Sequence, residues 1–132
     1  MMPDWKDPQV ERPDNRRIVL VERGAGVSLA YLVDGVWYEH DFLLQCATIG
    51  ALEEISCYCA LPPLDAWQVT AEGLPAKNEE VVIWWGDRPV LGFLWERLWW
   101  ADQGLLPLPI GKLDRGDFWL RIERPWREEL RG

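Results

Sequence analysis

The chain of 132 residues has no long apolar run, almost no histidine and no excess of basic charge. No segment approaches the ~18 uninterrupted apolar residues that a membrane-spanning helix needs, so no association with a membrane is expected. The charged, proline-containing start has no apolar core of a signal peptide, which predicts a cytoplasmic location. The 22 acidic residues outnumber the 14 basic ones and give a net charge of −8. This balance argues against binding to nucleic acid, because such proteins usually present a basic patch.

The sequence also contains no recognisable catalytic motif. The single histidine, His40, precedes Asp41 and lies near Cys46 in the sequence, but no nucleophile motif surrounds it. We expect His40 to lie exposed in a loop. No glycine-rich phosphate loop is present either. The sequence therefore predicts a protein that is not an enzyme and binds no cofactor, with an enzyme of unrecognised class as a remote alternative.

The three cysteines, Cys46, Cys57 and Cys59, are an odd number, which favours reduced thiols over a disulfide framework. A Cys-x-Cys pair on a strand separates its sulfurs by about 7 Å, a poor spacing for one zinc ion. We therefore expect these cysteines to act as buried small apolar residues, with no metal bound.

Tryptophan, by contrast, is abundant, and its positions reveal a repeat. When the chain is shifted by 62 residues, residues 5–38 align on residues 67–100 without a gap. Identical residues recur at corresponding positions: Trp5 and Trp67, Pro13 and Pro75, Val19 and Val81, Gly24 and Gly86, Leu29 and Leu91, Leu32 and Leu94, Trp37 and Trp99. The spacing predicts a tandem duplication, with one repeat unit at residues 1–64 and a second at residues 65–132, packed into one globule.

The stretch "GFLWERLWWA" (residues 92–101) fits one helical face, two strands around a turn, or an exposed aromatic surface. At the same place the first copy has Asp34-Gly35, a strong signal for a two-residue hairpin. Strands are therefore favoured in both copies, with Glu96-Arg97 at the second turn. We predict an all-β or β-rich α+β protein made of two tandem antiparallel units packed pseudo-symmetrically.

Each unit is expected to contain four strands. They cover residues 18–21, 27–33, a short stretch around Trp37 and residues 55–63 in the first copy, and residues 81–85, 90–95, a short stretch around Trp99 and residues 118–126 in the second. Alternation along residues 55–63 would place Ile55, Cys57 and Cys59 on one face. Residues 39–54 have apolar residues at helical intervals and could form a short helix. Residues 101–117, which contain prolines and glycines, are expected to form an ordered loop.

The first copy resembles the domain-of-unknown-function 551 family, a group of short proteins frequent in phages and prophages. The resemblance lies in Trp5, Pro13, "IVLV" (18–21), Trp37 and "ISCYCALPP" (55–63), with cysteine and tyrosine at 57 and 58 where the family tends to have histidine and tryptophan. The second copy keeps Trp67, Leu74-Pro75, "VVIW" (81–84) and Trp99 but departs at "FWLRIERP" (118–125). The resemblance implies an origin in a mobile element and a small β-rich fold. It brings no known activity or catalytic residue.

Seven of the ten tryptophans lie in residues 84–126. The first copy has Glu22 and Arg23 where the second has Trp84 and Trp85, so the fold does not require aromatic residues there. Neighbouring residues on a strand point to opposite faces, so one tryptophan of each adjacent pair leaves the core of its own sheet. The extra aromatic residues either pack the two copies together or form a protein-binding surface. The predicted binding surface comprises Trp84, Trp85, Trp95, Trp100, Asp87, Arg88, Glu96 and Arg97.

These features together predict a small accessory protein that binds another protein and exists as a monomer or homodimer. Inhibition of a host or competitor factor is the suggested role, by analogy with phage proteins. An alternative is an immunity-type inhibitor whose acidic face covers a basic toxin. Loss of binding at high salt would favour this alternative, because salt screens exposed charge pairs.

Overall fold

A computed structural model gives the structure of the chain and describes residues 4–23, 26–40, 48–102 and 107–123. In these segments twelve strands form two six-stranded antiparallel sheets, which confirms the all-β class. Sheet 1 contains β1 (Trp5–Lys6), β2 (Val19–Arg23), β3 (Gly26–Val33), β4 (Val36–Glu39), β5 (Thr48–Ala51) and β6 (Tyr58–Ala60). Sheet 2 contains β7 (Gln68–Val69), β8 (Val81–Trp85), β9 (Arg88–Trp95), β10 (Leu98–Ala101), β11 (Leu108–Lys112) and β12 (Phe118–Arg121). Single turns of 3-10 helix cover Leu52–Glu54 and Leu64–Ala66, and none of the described helices could cross a bilayer.

The two sheets have the same strand order and the same register. The orders are β1-β6-β2-β3-β4-β5 and β7-β12-β8-β9-β10-β11. In the central ladders, Val19 lies opposite Ala30 and Val81 lies opposite Gly92, at positions 62 residues apart. Both sheets also have a register shift at the same place, one between residues 37 and 38 and the other between residues 99 and 100. The sequence offset thus corresponds to a repeated backbone.

The hairpins between β3 and β4 and between β9 and β10 explain why residues 91–100 form strands. Asp34 and Gly35 have φ angles of 50° and 84°, while Glu96 and Arg97 have φ angles of 52° and 63°. Two successive residues with positive φ form the turn whose twist matches that of paired strands. The prediction of two strands around Glu96-Arg97 is therefore confirmed, and the helical alternative is wrong.

Each sheet uses both faces for packing, which gives three apolar clusters. The inter-sheet cluster contains residues from both copies, with Leu20, Leu29 and Cys59 packed with Trp67 and Val82. The opposite, far face of each sheet has a cluster of its own. The buried members of these far-face clusters are Val19, Val21, Ala30, Leu32, Trp37, Ile55 and Tyr58 in sheet 1 and Val81, Ile83, Leu94, Trp99 and Trp119 in sheet 2.

Trp5 and Trp67 join the two copies through reciprocal hydrogen bonds. The Trp5 indole Nε1 donates to the Glu123 carbonyl at 2.7 Å, and the Trp67 indole Nε1 donates to the Pro62 carbonyl at 2.9 Å. Glu123 and Pro62 follow the last strand of the second and first sheet, respectively. The first tryptophan of each copy therefore binds the end of the other copy, which is why the motif recurs with its spacing intact.

Several sequence predictions require correction. The segment 101–117 contains β11, because an edge strand tolerates the proline and glycine that suggested a loop. Ile55 packs on the far face with Tyr58, whereas Cys59 lies in the inter-sheet cluster, because β6 begins only at Tyr58. Of the proposed helix in 39–54, residues 41–47 lie outside the described residues, and residues 48–54 form β5 and one 3-10 turn.

Candidate functional site

Trp84 and Trp85 lie on opposite faces of sheet 2, as alternation along β8 requires. Trp84 packs against the inter-sheet cluster and meets Trp67 edge to face, with ring centroids 5.9 Å apart. Trp85 packs against the far-face cluster, and its ring lies over Gly111 of β11, where any side chain would collide with it. Because β9 and β10 separate these two strands, sheet 2 curls around its far-face cluster. Both tryptophans therefore contribute to packing.

Asp87 and Arg88 lie at the turn next to Trp85. The Arg88 Nε atom and the Asp87 carboxylate are 3.4 Å apart, and the Asp87 side chain is 91% exposed. An ion pair with such exposure contributes little to stability, about 0–1 kcal/mol. These two residues form a charged tip at this end of β9.

Trp95 and Trp100 lie at the other end of β9 and form an aromatic cluster with Phe93. The Phe93 and Trp100 rings are stacked, with centroids 6.2 Å apart and planes 4° apart. Trp95 meets Trp100 edge to face at 5.8 Å, and the Trp100 Nε1 donates to the Trp95 carbonyl at 3.3 Å. The cluster shares its sheet face with Leu91 of the inter-sheet cluster but belongs to none of the three apolar clusters. All three rings are partly exposed.

Glu96 and Arg97 form the turn next to the aromatic cluster, and both are exposed. Leu98, which lies opposite Trp95 in the ladder, adds an aliphatic side chain to the same face. The turn therefore places one carboxylate and one guanidinium at the border of a partly exposed apolar surface.

The eight predicted site residues are thus divided between the two ends of β9. Seven residue steps separate Arg88 from Trp95, a distance of roughly 23 Å at the rise of a β-strand. Trp84, Trp85, Asp87 and Arg88 lie at one end, and Trp95, Glu96, Arg97 and Trp100 lie at the other. Phe93 and Leu98 also belong to the second group, although neither is among the site residues predicted from the sequence. The alternation of Leu91, Phe93 and Trp95 along a strand could have revealed the first of these.

The first copy has a smaller aromatic pair at the equivalent place. Tyr31 and Tyr38 are stacked, with ring centroids 5.7 Å apart, and both are partly exposed. Val33 stands where the second copy has Trp95. The third ring is therefore particular to the second copy.

Cys57, Cys59 and His40 occupy structural positions. Cys57 and Cys59 are buried, and burial raises the pKa of the Cys59 thiol to about 11. Metal binding requires the thiolate, so this environment opposes it. In the described segments, no group of three or more ligating side chains could hold a metal ion. His40 lies in a loop after β4, as expected, but it is half-buried and not exposed. Its Nε2 donates to the Pro89 carbonyl at 3.0 Å, which joins the sheets. Asp41 and Cys46 lie outside the described residues.

Comparison of the chain with protein-family models, with curated proteins and with solved structures finds no match.

Proposed function

We propose that the protein acts by binding another protein, and that the aromatic cluster of Phe93, Trp95 and Trp100 is the centre of its binding surface. The observation that carries this proposal is the position of the three rings. They lie on the inter-sheet face of sheet 2, outside the cluster that joins the sheets, and each remains partly exposed. Large rings that contribute to no core cluster are typical of binding surfaces.

The chemistry at the border of the cluster supports the same function. Tryptophan and arginine are enriched among the residues that dominate binding energy in protein interfaces, and Arg97 adjoins Trp95 at the turn. The stacked Phe93 and Trp100 rings hold each other in place, so little side-chain freedom is lost on binding. The surface suits a partner that presents apolar or aromatic side chains.

The proposal extends the predicted role of a phage- or prophage-type accessory protein in the cytoplasm. Such a protein would inhibit a host or competitor factor by covering its surface. The family resemblance of the first copy supports this origin. The exclusion of nucleic acid as the partner rests on the net charge of −8.

Trp100→Ala tests the proposal, with Tyr38→Ala as the matched control at the equivalent position of the first copy. Wild type and both variants would be used to capture proteins from a bacterial host lysate, with quantification by mass spectrometry. One purified partner would then be titrated by calorimetry. Removal of Trp100 should weaken this complex by ~2 kcal/mol or more, whereas removal of Tyr38 should leave it within a few tenths. The complex should also tolerate salt, because its contacts are mainly apolar.

Two outcomes would contradict the proposal. In the first, both variants bind the partner as tightly as wild type, which would place the binding surface elsewhere. In the second, light scattering shows a homodimer that Trp100→Ala dissociates, so that the cluster is buried between two copies of this chain. Thermal unfolding of each variant, with a midpoint close to that of wild type, would show that the fold is retained.

A further inference from the structure

The edge strands β5 and β11 occupy equivalent positions in the two sheets but differ in the features that block pairing. Each is the last strand of its sheet, beside β4 and β10, respectively. Thr48 and Pro109 occupy equivalent positions in the ladders. Thr48 lies opposite Tyr38, which follows the buried Trp37, and Pro109 lies opposite Trp100, which follows the buried Trp99. The ladders align Ala51 with Lys112 in the same way, opposite Val36 and Leu98.

The edge of sheet 2 is protected against further pairing, whereas the edge of sheet 1 lacks this protection. Proline on an edge strand removes a hydrogen-bond donor, and lysine on an edge opposes burial beside another strand. β11 has both, as Pro109 and Lys112, whereas β5 reads Thr-Ile-Gly-Ala and has neither. Among the described residues, no strand pairs with the outer side of β5.

The charges next to β5 indicate what kind of chain it would accept. Glu53 and Glu54 follow the strand in a 3-10 turn, and both are exposed. The Glu54 side chain lies against Gly50, whose φ angle of 153° and close approach leave no room for a side chain. In the described parts of the chain, neither carboxylate has a salt bridge of 4 Å or less. The net charge of −8 opposes pairing with a second copy of the same chain.

We propose that β5 accepts an extended segment of another protein as an added strand, and that this segment carries lysine or arginine. Backbone hydrogen bonds to the outer side of β5 would supply affinity independent of sequence. The cationic side chains would lie near Glu53 and Glu54 and supply the preference for a basic segment. This surface belongs to sheet 1 and is separate from the aromatic cluster of sheet 2.

The second copy supplies the variant that tests the proposal. Thr48→Pro combined with Ala51→Lys transfers the protection of β11 to β5, at positions where sheet 2 already accommodates proline and lysine. The fold should therefore be retained, with a thermal midpoint within roughly 4 °C of wild type. The probe is a blocked seven-residue peptide of alternating lysine and valine, titrated against the full chain and followed by amide resonances. A second peptide has the same side chains but an N-methyl group on every residue, which removes the backbone N–H donors from both of its edges.

Saturable binding of the lysine–valine peptide should shift the amide resonances of residues 48–51. The double substitution should weaken binding at least tenfold, a change of about 1.4 kcal/mol. Glu53→Gln with Glu54→Gln should also weaken binding and reduce its dependence on salt, whereas the N-methylated peptide should not bind. Trp100→Ala should leave the peptide affinity unchanged, so failure of this inference and failure of the proposed function can be told apart.

Three results would overturn the inference. The first is that the unmodified peptide does not bind the wild-type protein, or binds without shifting the amide resonances of residues 48–51. The N-methylated peptide or the double-substituted protein binds as tightly as its reference, which would show that charge alone drives the contact. The protein is a dimer that Thr48→Pro with Ala51→Lys converts to a monomer, which would make a second copy the occupant of the edge.

Discussion

The two copies form sheets of the same topology from different side chains. They differ at positions where one copy has a packed or exposed side chain that the other copy lacks. Trp37 and Trp99 are both fully buried, and Trp5 and Trp67 make corresponding bonds. Between these shared positions few residues are identical. The backbone is therefore specified by buried rings, turn geometry and alternation, which leaves the other positions free to diverge.

One difference between the copies concerns two positions whose side chains contact each other in the first copy. In the first copy, Arg23 and Glu39 form an ion pair at 3.1 Å. The equivalent residues in the second copy are Trp85 and Ala101, a large ring and a methyl group. Trp85 packs against the far-face cluster of sheet 2 and Ala101 is fully buried, so neither position carries a charge. The fold accommodates either an ion pair or two uncharged side chains at these two positions. The presence of Trp85 in the second copy is therefore not evidence of a binding role.

Removal of the shared buried rings should have the largest effect on stability, and the effect should be the same in both copies. Trp37→Ala and Trp99→Ala should each lower the free energy of unfolding by about 3–5 kcal/mol, because each leaves a cavity in a far-face cluster. Chemical denaturation would measure this loss. As controls, Tyr38→Ala and Trp100→Ala, at the partly exposed neighbours, should cost roughly 1 kcal/mol. Unequal losses of unfolding free energy for the two variants would show that the two far-face clusters are packed differently.

The contact between Trp67 and Trp84 exists only in the second copy, because Glu22 stands at the equivalent of Trp84. A double-mutant cycle of Trp67→Ala and Trp84→Ala should give a coupling energy of about 0.5–1.5 kcal/mol. The matched cycle of Trp5→Ala and Glu22→Ala should give a smaller value, since a carboxylate offers no ring face. Equal coupling energies in the two cycles would show that the coupling does not arise from the contact between the Trp67 and Trp84 rings.

The two hairpin turns differ in the residue that adopts the second positive φ angle, Gly35 in one copy and Arg97 in the other. A left-handed conformation costs a residue with a side chain about 1 kcal/mol more than glycine. Arg97→Gly should therefore raise the free energy of unfolding by about 1 kcal/mol, and Gly35→Arg should lower it by at least as much. Thermal and chemical denaturation of both variants would measure these changes. A destabilised Arg97→Gly protein would show that the arginine makes a compensating contact.

The smallest expected difference concerns Glu79 and Arg121. Glu79 corresponds to Arg17 by the sequence offset of 62. Arg121 corresponds to Ala60, because the two residues lie opposite the equivalent Val81 and Val19 in the ladders. Arg121 donates two hydrogen bonds to the Glu79 carboxylate, at 2.7 and 3.3 Å, and these hold the pKa of Glu79 below its ordinary value of 4.5. A lowered pKa in the folded state stabilises the protein above pH 4.5, and this contribution is lost as the pH falls through the folded value. Glu79→Gln should therefore cost about 0.5 kcal/mol near neutral pH and nothing in strong acid. A cost that persists in strong acid would exclude this linkage.

The sequence predicts the four central elements of each unit because they follow the alternation and turn rules directly. Asp34-Gly35 identifies the first hairpin, and the offset of 62 transfers it to Glu96-Arg97, which no turn rule would have identified alone. The edge strands are hard to predict from the sequence for a physical reason. β1 and β7 have two residues each, too few for a period, and β11 contains a proline and a glycine that are tolerated only because one side of the strand is unpaired.

The candidate site could be predicted only in part. Adjacent tryptophans had to point to opposite faces, and the structure places Trp84 and Trp85 accordingly. Which face becomes covered depends on how the two sheets pack, and nothing in a local pattern carries that information. For this reason the sequence predicts one surface from residues at the two ends of β9, which lie roughly 23 Å apart.

The reciprocal bonds of Trp5 and Trp67 make the described chain nearly a closed ring. The Trp5 indole donates to the Glu123 carbonyl at 2.7 Å, just as the Trp67 indole donates to the Pro62 carbonyl. Pro62 and Trp67 are already linked by the short chain segment between them. A circular permutant that starts at Leu64 and links residue 123 to residue 5 through a few residues would retain both indole bonds and every strand pair of the described residues. The order of the two halves along the polypeptide is thus physically interchangeable, and either half could have been encoded first.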